Sequence, residues 1–188
     1  MFSEIKKISS LLLSVAFSSI GFIASITVTV LAAREVSSNP LFVGFPNAVG
    51  VGGAVLGTRM IYLISKTNSQ LNALAFTFLI GAFGGAIMFY SLIIDSFLLL
   101  LLGAFILGIG QSATLQTRYA ASFVAGTKFK ATALSLAVWF SVFGSVFGPR
   151  MVGSYSYFFE NIFNSELIVG YVIALVGMLF AAASLFTF

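Results

Sequence analysis

The run GAFILGIGQSATLQTRYAAS at residues 103–122, the basic stretch FVAGTKFK at 123–130 and the run ATALSLAVWFSVFGSVFGPRMVG at 131–153 decide how this chain folds. Each apolar run has membrane length. Hydrocarbon offers no partner for an open backbone, so a crossing takes about 20 mostly apolar residues wound into a helix. Positive charge joins the two runs, and glycines recur in both at helix-packing intervals: Gly103, Gly108 and Gly110 in the first, Gly144 and Gly148 in the second. This pattern belongs to packed spans in a bundle rather than to a lone anchor.

The remainder of the chain has the same character. Charged residues make up 7% and hydrophobic residues 60% of its 188 positions, where a soluble domain is about a quarter charged. The composition predicts an integral membrane protein with its apolar surface against the lipid bilayer and no sizeable soluble domain. Cysteine and histidine are absent. That removes thiol redox chemistry, the usual zinc and haem ligands and the commonest general base. No paired acids lie within an apolar run, so neither an enzyme nor a metal or cofactor is expected. The formal net charge of +4 rests on a few residues placed between apolar runs. It reads as topology, not as a nucleic-acid surface.

Six spans are expected, at residues 8–33, 41–64, 71–90, 97–119, 131–153 and 167–188. The first is too long for the apolar region of a signal peptide, which runs about 7 to 15 residues. Its Ser14, Ser18, Gly21 and Ser25 form one small stripe, read either as close helix packing or as cavity lining. In the second span Pro46 is expected to kink the helix. Gly53 and Gly57 present a face to a neighbouring backbone, and Arg59 extends toward the interface. The third span carries Gly81, Gly84 and Gly85. In the fourth, a turn of about 100° per residue puts Gly108, Gln111, Leu115 and Arg118 on one face, the leading choice for lining a solute cavity. Loops are expected at Ala120–Lys130, with Lys128 and Lys130, and at Ser154–Glu166, where Tyr155, Tyr157, Phe158 and Phe159 suit an interfacial belt. Lys6, Lys7, Lys66, Arg118, Lys128 and Lys130 fall on one side under this alternation, which makes both termini cytoplasmic by the positive-inside rule.

Gly53 and Gly57 with Pro46, and Gly144 and Gly148 with Pro149, make the first three spans resemble the last three. An odd number of spans per copy inverts one copy against the other, giving a 3+3 inverted repeat. Chance placement of glycines in membrane helices is the alternative. Trp139 either packs the bundle or stacks on an apolar ligand. Arg150, beyond the expected Gly-Pro kink, either attracts an anionic substrate or reaches out to the interface.

Gly108-Ile109-Gly110-Gln111-Ser112-Ala113 resembles the fourth-helix motif of the major facilitator superfamily, with Ala104 where that motif places an arginine. The segment from Gly144 to Gly153 resembles the family's fifth-helix antiporter motif, with Ser135 and Val152 in place of two glycines. In the motif between the second and third helices Leu63 and Lys66 match. Ile61, Ser65, Asn68, Ser69 and Gln70 stand where the family has glycine, aspartate and basic residues. The resemblance covers the N-terminal six-helix half of such a transporter. It implies a half-unit in the cell membrane that moves a small apolar or amphipathic solute, outward by preference, by alternating access against a second six-helix half. That second half is a further copy of this chain, a separate chain, or the remainder of an interrupted gene. Any proton-coupling carboxylate falls to the partner, or else Asp95 moves into reach, and Gly144 to Gly153 face the partner. A structural or truncated remnant that transports nothing is the alternative, motivated by the eroded motif at 61–70.

Overall fold

The computed structural model describes residues 2–37, 39–163 and 165–186. Among them the chain forms six helices: α1 (Phe2–Val36), α2 (Phe45–Thr67), α3 (Gln70–Ile93), α4 (Phe97–Val124), α5 (Gly126–Phe163) and α6 (Ile168–Phe186). A 3-10 turn at Pro40–Phe42 precedes α2, and no strand occurs among the described residues. Each of the six helices is long and apolar enough to cross a membrane. Met1 of the basic head and Thr187 and Phe188, the expected end of the sixth span, lie outside the described residues.

Local chemistry sets the helix starts. Ser69 caps α3 by accepting the Asn72 N–H at 3.2 Å, and Ser96 caps α4 through the Leu99 N–H at 3.4 Å, each satisfying one of the open donors of a first turn. Asp95, in the turn between them, adopts a left-handed backbone with φ 50°. Pro46 does not kink a span as expected. It is the second residue of α2, where proline's missing N–H has no helical partner to lose and its fixed φ already suits a helix.

The two expected loops differ most from the structure. α4 continues to Val124 and only Ala125 separates it from α5, whose first residue, Gly126, has φ 69°. At the far end α5 continues through Tyr155–Phe159 to Phe163. Its 38 residues reach roughly 57 Å at 1.5 Å per residue, well beyond a hydrocarbon core of about 30 Å. The aromatic belt at 155–159 is therefore helical, and the helix runs through Pro149 without interruption.

Glycine contacts determine how the helices meet. A Cβ on Gly81 would lie 2.7 Å from Gly110 Cα, so α3 and α4 touch backbone to backbone. A Cβ on Gly177 would lie 2.7 Å from the Phe17 carbonyl oxygen, which gives α6 the same seat on α1. Gly53 and Gly57 of α2 rest on Phe105 and Ile109 of α4, while Gly144 and Gly148 of α5 rest on Ser19, Ile20 and Ala24 of α1. Water does not drive helices together in lipid, so close packing of this kind carries much of the association. Gly144 and Gly148 thus face α1 of the same chain, not the partner expected for them. Gly153 faces open space with nothing within 4 Å of an added Cβ.

α1 and α4 run through the middle of the bundle, in contact with each other, and α3 and α6 also pack together. α2 and α5 are peripheral: 17% and 22% of their most apolar windows are buried, against 50% or more for the other four. One end of the bundle carries Lys66, Lys128 and Lys130. Lys66 sits over the Tyr62 ring at 4.5 Å and Lys130 over Phe123 at 4.8 Å. At the opposite end Glu35, Asp95 and Glu166 lie near enough to repel one another. These are called the lysine end and the acid end below.

Candidate functional site

Most hydroxyls inside the bundle are used by their own helices. Thr77 donates to the Ala73 carbonyl at 2.8 Å, Ser112 to Ile109 at 2.7 Å and Thr117 to Ala113 at 2.7 Å. This back-bonding neutralises a polar group without any tertiary partner. Four groups are exceptions among the described residues: the hydroxyls of Ser14, Ser19 and Thr114 and the Nε of Arg118 are buried without a hydrogen-bond partner. Three of the four line one groove.

That groove lies between α1, α4 and α5 and has a volume of about 330 Å³. Thr114 and Arg118 of α4, Ser19 of α1, and Ser141 and Ser145 of α5 supply its polar groups. Phe22, Ile23 and Leu115 supply the apolar part. No Asp or Glu lines it. Pro149 has no N–H, which releases the Ser145 carbonyl, one turn back, from the helix ladder. Arg118 lies deeper than expected. With α4 extended to Val124, it sits about 9 Å inside the helix end rather than at the rim of a loop, and it is half-buried.

A second cavity, about 240 Å³, opens toward the acid end between α1, α2 and α4. Ser25 and Thr29 from α1 and Asn47 and Gly50 from α2 contribute to its wall, with Gly108 of α4 pressed on Gly50. Its α1 hydroxyls are satisfied: Ser25 donates to Phe22 at 2.8 Å and Thr29 to Ser25 at 2.7 Å. The buried hydroxyl of Tyr171, from α6, donates to Thr29 Oγ1 at 3.5 Å. Phe22 and Gln111 line both cavities, so the two meet at this pair where α1 and α4 cross.

The registers of the two linings coincide. From α1 the acid-end cavity takes Phe22, Ser25, Ile26 and Thr29. From α4 the lysine-end groove takes Gln111, Thr114, Leu115 and Arg118. Each set begins one residue after a glycine that is pressed on a neighbouring helix, Gly21 on α6 and Gly110 on α3, and each then follows the same spacing.

Of the residues singled out from sequence, Gln111, Gly108 and Arg118 fall in these cavities. Trp139 does not. It is 67% exposed on a face of α5 shared with Val142, Phe143, Val146 and Phe147, so it neither packs the bundle nor reaches the groove. Arg150 is exposed and lines neither cavity. The serine stripe of α1 divides: Gly21 packs on α6, Ser18 donates to the Val15 carbonyl, and Ser25 lines the acid-end cavity. Sequence reasoning missed Ser19, Thr114, Ser141 and Ser145. Thr114 shares a helix face with Gln111 and Arg118 and could have been found by the same count. Ser19 and the α5 serines enter only through the packing of α1, α4 and α5 on one another.

Comparison with known proteins agrees with the membrane architecture. The chain is 30% identical over 174 residues to the MFS-type transporter YdeG of Bacillus subtilis, which covers 93% of this chain and 40% of that protein. It is 32% identical over 157 residues to the MFS-type transporter YddS of the same organism, covering 84% of this chain and 36% of the relative. The chain therefore spans about two fifths of the length of the curated relatives it matches. No family model matches it, and no solved structure does. Six apolar helices and these relatives make it a multi-pass membrane protein.

Proposed function

We propose, on the premise that this chain fits the N-terminal half of a major-facilitator transporter, that it is one half of a secondary carrier in the cell membrane. It would expose a small apolar or amphipathic solute alternately at its two ends, working against a second six-helix half. The observation that carries this reading is the pair of cavities on opposite ends of α1 and α4, joined at Phe22 and Gln111. The matched registers of their linings support a 3+3 inverted repeat, as do the paired seats of α3 on α4 and α6 on α1, and of α2 on α4 and α5 on α1. Two copies of opposite sense supply one opening to each side. The mostly apolar lining of the acid-end cavity and the mixed lining of the lysine-end groove favour an apolar or amphipathic solute. The resemblance of 144–153 to an antiporter motif favours outward movement. The greater length of the relatives supports a second half, and the lysine end supports cytoplasmic termini. Acid-base chemistry has no role in this reading, since neither cavity contains a carboxylate or imidazole.

The sequence contains no cysteine, so single cysteines can be introduced without background. Ser25→Cys and Ser141→Cys, probed with a membrane-impermeant maleimide in vesicles of known orientation, should label from opposite sides, with Lys66→Cys labelling from the cytoplasmic side. Labelling of both groove positions from the same side would overturn the two-opening reading. In whole cells, expression should lower accumulation of an amphipathic fluorescent dye, and Gln111→Leu should restore it. Unchanged dye levels with and without the chain, under every pairing with a second half, would leave the non-transporting reading standing.

A further inference from the structure

The geometry points to an anion-selecting subsite in the lysine-end groove, built from Arg118, Thr114 and Ser19, for the carboxylate of a small amphipathic organic anion. This deepens the carrier reading and rests on it, because it assigns the chemical class of solute to the groove proposed above.

Arg118 brings a guanidinium that stays protonated into a membrane helix, and no Asp or Glu lines the groove to offset it. A lone charge at such depth is costly and is retained where it pairs with something. Its Nε has no hydrogen-bond partner among the described residues. The neighbouring hydroxyls are in the same condition. Ser19 is 5% exposed and Thr114 4% exposed, both line the groove, and neither makes a hydrogen bond. Serine and threonine in membrane helices normally back-bond to their own carbonyls, as Ser112 and Thr117 do on either side of Thr114. Two buried hydroxyls and the guanidinium Nε, each without a hydrogen-bond partner, amount to a cluster of idle donors in one concavity. The ligand that satisfies them is rich in acceptors. A carboxylate offers about four lone-pair sites and matches the planar fork of arginine.

The other wall selects what carries the carboxylate. Phe22, Ile23 and Leu115 face the same space and suit an apolar body of aromatic or short aliphatic size. A volume of about 330 Å³ lies at the lower end of the small-molecule range. The equivalent position to Arg118 in the acid-end cavity is Thr29, whose hydroxyl is already bonded. Charge selection therefore belongs to one end of the pathway.

The test uses three probes of one shape: benzoate, benzyl alcohol and benzylammonium. Each is titrated calorimetrically into the full chain in nanodiscs, with empty nanodiscs as the reference. Benzoate should bind about tenfold more tightly than benzyl alcohol, as expected for charge-assisted hydrogen bonds, and benzylammonium should bind least. Arg118→Gln should bring benzoate and benzyl alcohol together, Arg118→Lys should keep part of the preference, and Thr114→Ala should weaken benzoate about threefold while leaving the alcohol unchanged. Circular dichroism of each variant checks that the bundle is intact, and Thr114→Ala provides the test if Arg118→Gln does not fold. Equal binding of benzoate and benzyl alcohol by the unmodified chain would overturn the anion subsite while leaving the groove as a solute site. A preference that survives Arg118→Gln would also overturn it. Failure of all three probes to bind the unmodified chain would remove both the subsite and the solute groove.

Discussion

The acid-end cavity and the lysine-end groove are lined in the same register from α1 and α4, yet the polar groups at the matched positions are in opposite states. Ser25 and Thr29 are bonded to their own helix, and Tyr171 closes on Thr29 from α6. At matching positions Thr114 and Arg118 have no hydrogen-bond partner for the hydroxyl and the Nε, and Ser19 joins them from α1. The spacing of the lining positions is therefore shared while the chemistry is not. One opening is finished as structure, and the other holds donors whose burial costs stability without a ligand.

The two ends depend most heavily on the helix crossings that form their walls. Gly144→Leu and Gly108→Leu each force side-chain atoms into a neighbouring backbone, since even a Cβ on Gly144 would lie 2.6 Å from the Ser19 carbonyl carbon and one on Gly108 3.0 Å from Gly50 Cα. Each should destabilise the bundle by roughly 3 kcal/mol or more, seen as early loss of monodisperse protein in a thermal ramp in detergent. Next comes Arg118→Leu. Removing a lone charge from a membrane helix should stabilise the chain, on the order of 2 kcal/mol, while abolishing anion binding. A fall in thermal stability would mean that the arginine is structurally paired. Thr29→Val should move the other way. It strips the Tyr171 hydroxyl of its partner and should cost about 1–2 kcal/mol. The threonine of the other groove, in Thr114→Val, should change stability by less than about 0.5 kcal/mol, because nothing is bonded to that hydroxyl. At the bottom of the scale, Gly153→Ala meets no atom and should be silent in both stability and binding. A reversed order for Thr29→Val and Thr114→Val would remove the distinction between the two ends.

The six helices were legible because a bilayer imposes long apolar runs with polar breaks, and hydropathy records both. Their ends were not. Residues 120–124, 126–130 and 154–163 are helical past the apolar core, where lysines and aromatics suit an interfacial helix as well as a loop. That misreading displaced Arg118 to a rim. Pro46 was misread for a related reason: the same residue kinks a helix from within and starts one at its first turn, and the distinction depends on where Phe45 begins the helix. Gln111 and Arg118 could be placed on one face because helical periodicity is local. The partners of that face could not. Ser19 joins Thr114 because α1 packs on α4, and nothing in the spacing of Gly144 and Gly148 specifies which helix they meet. The resemblance to a transporter half anticipated the relatives found by comparison, but placed Gly144–Gly153 against a partner when the first two of those glycines are spent inside the chain.

The length of α5 has a mechanical consequence. The rod is held against α1 at Gly144 and Gly148, with about 22 Å of helix beyond Gly148 toward Phe163 and about 27 Å before Gly144 toward Gly126. A bearing near the middle of a stiff beam converts tilt into opposed travel of its tips: rotation by roughly 10° would carry the two ends about 4 Å in contrary directions. The lysine-bearing tip at Lys128 and Lys130 and the aromatic tip, which would have to slide where Phe163 meets the Phe89 ring of α3 at 5.4 Å, would thus move as the two arms of one seesaw, with glycine at the fulcrum.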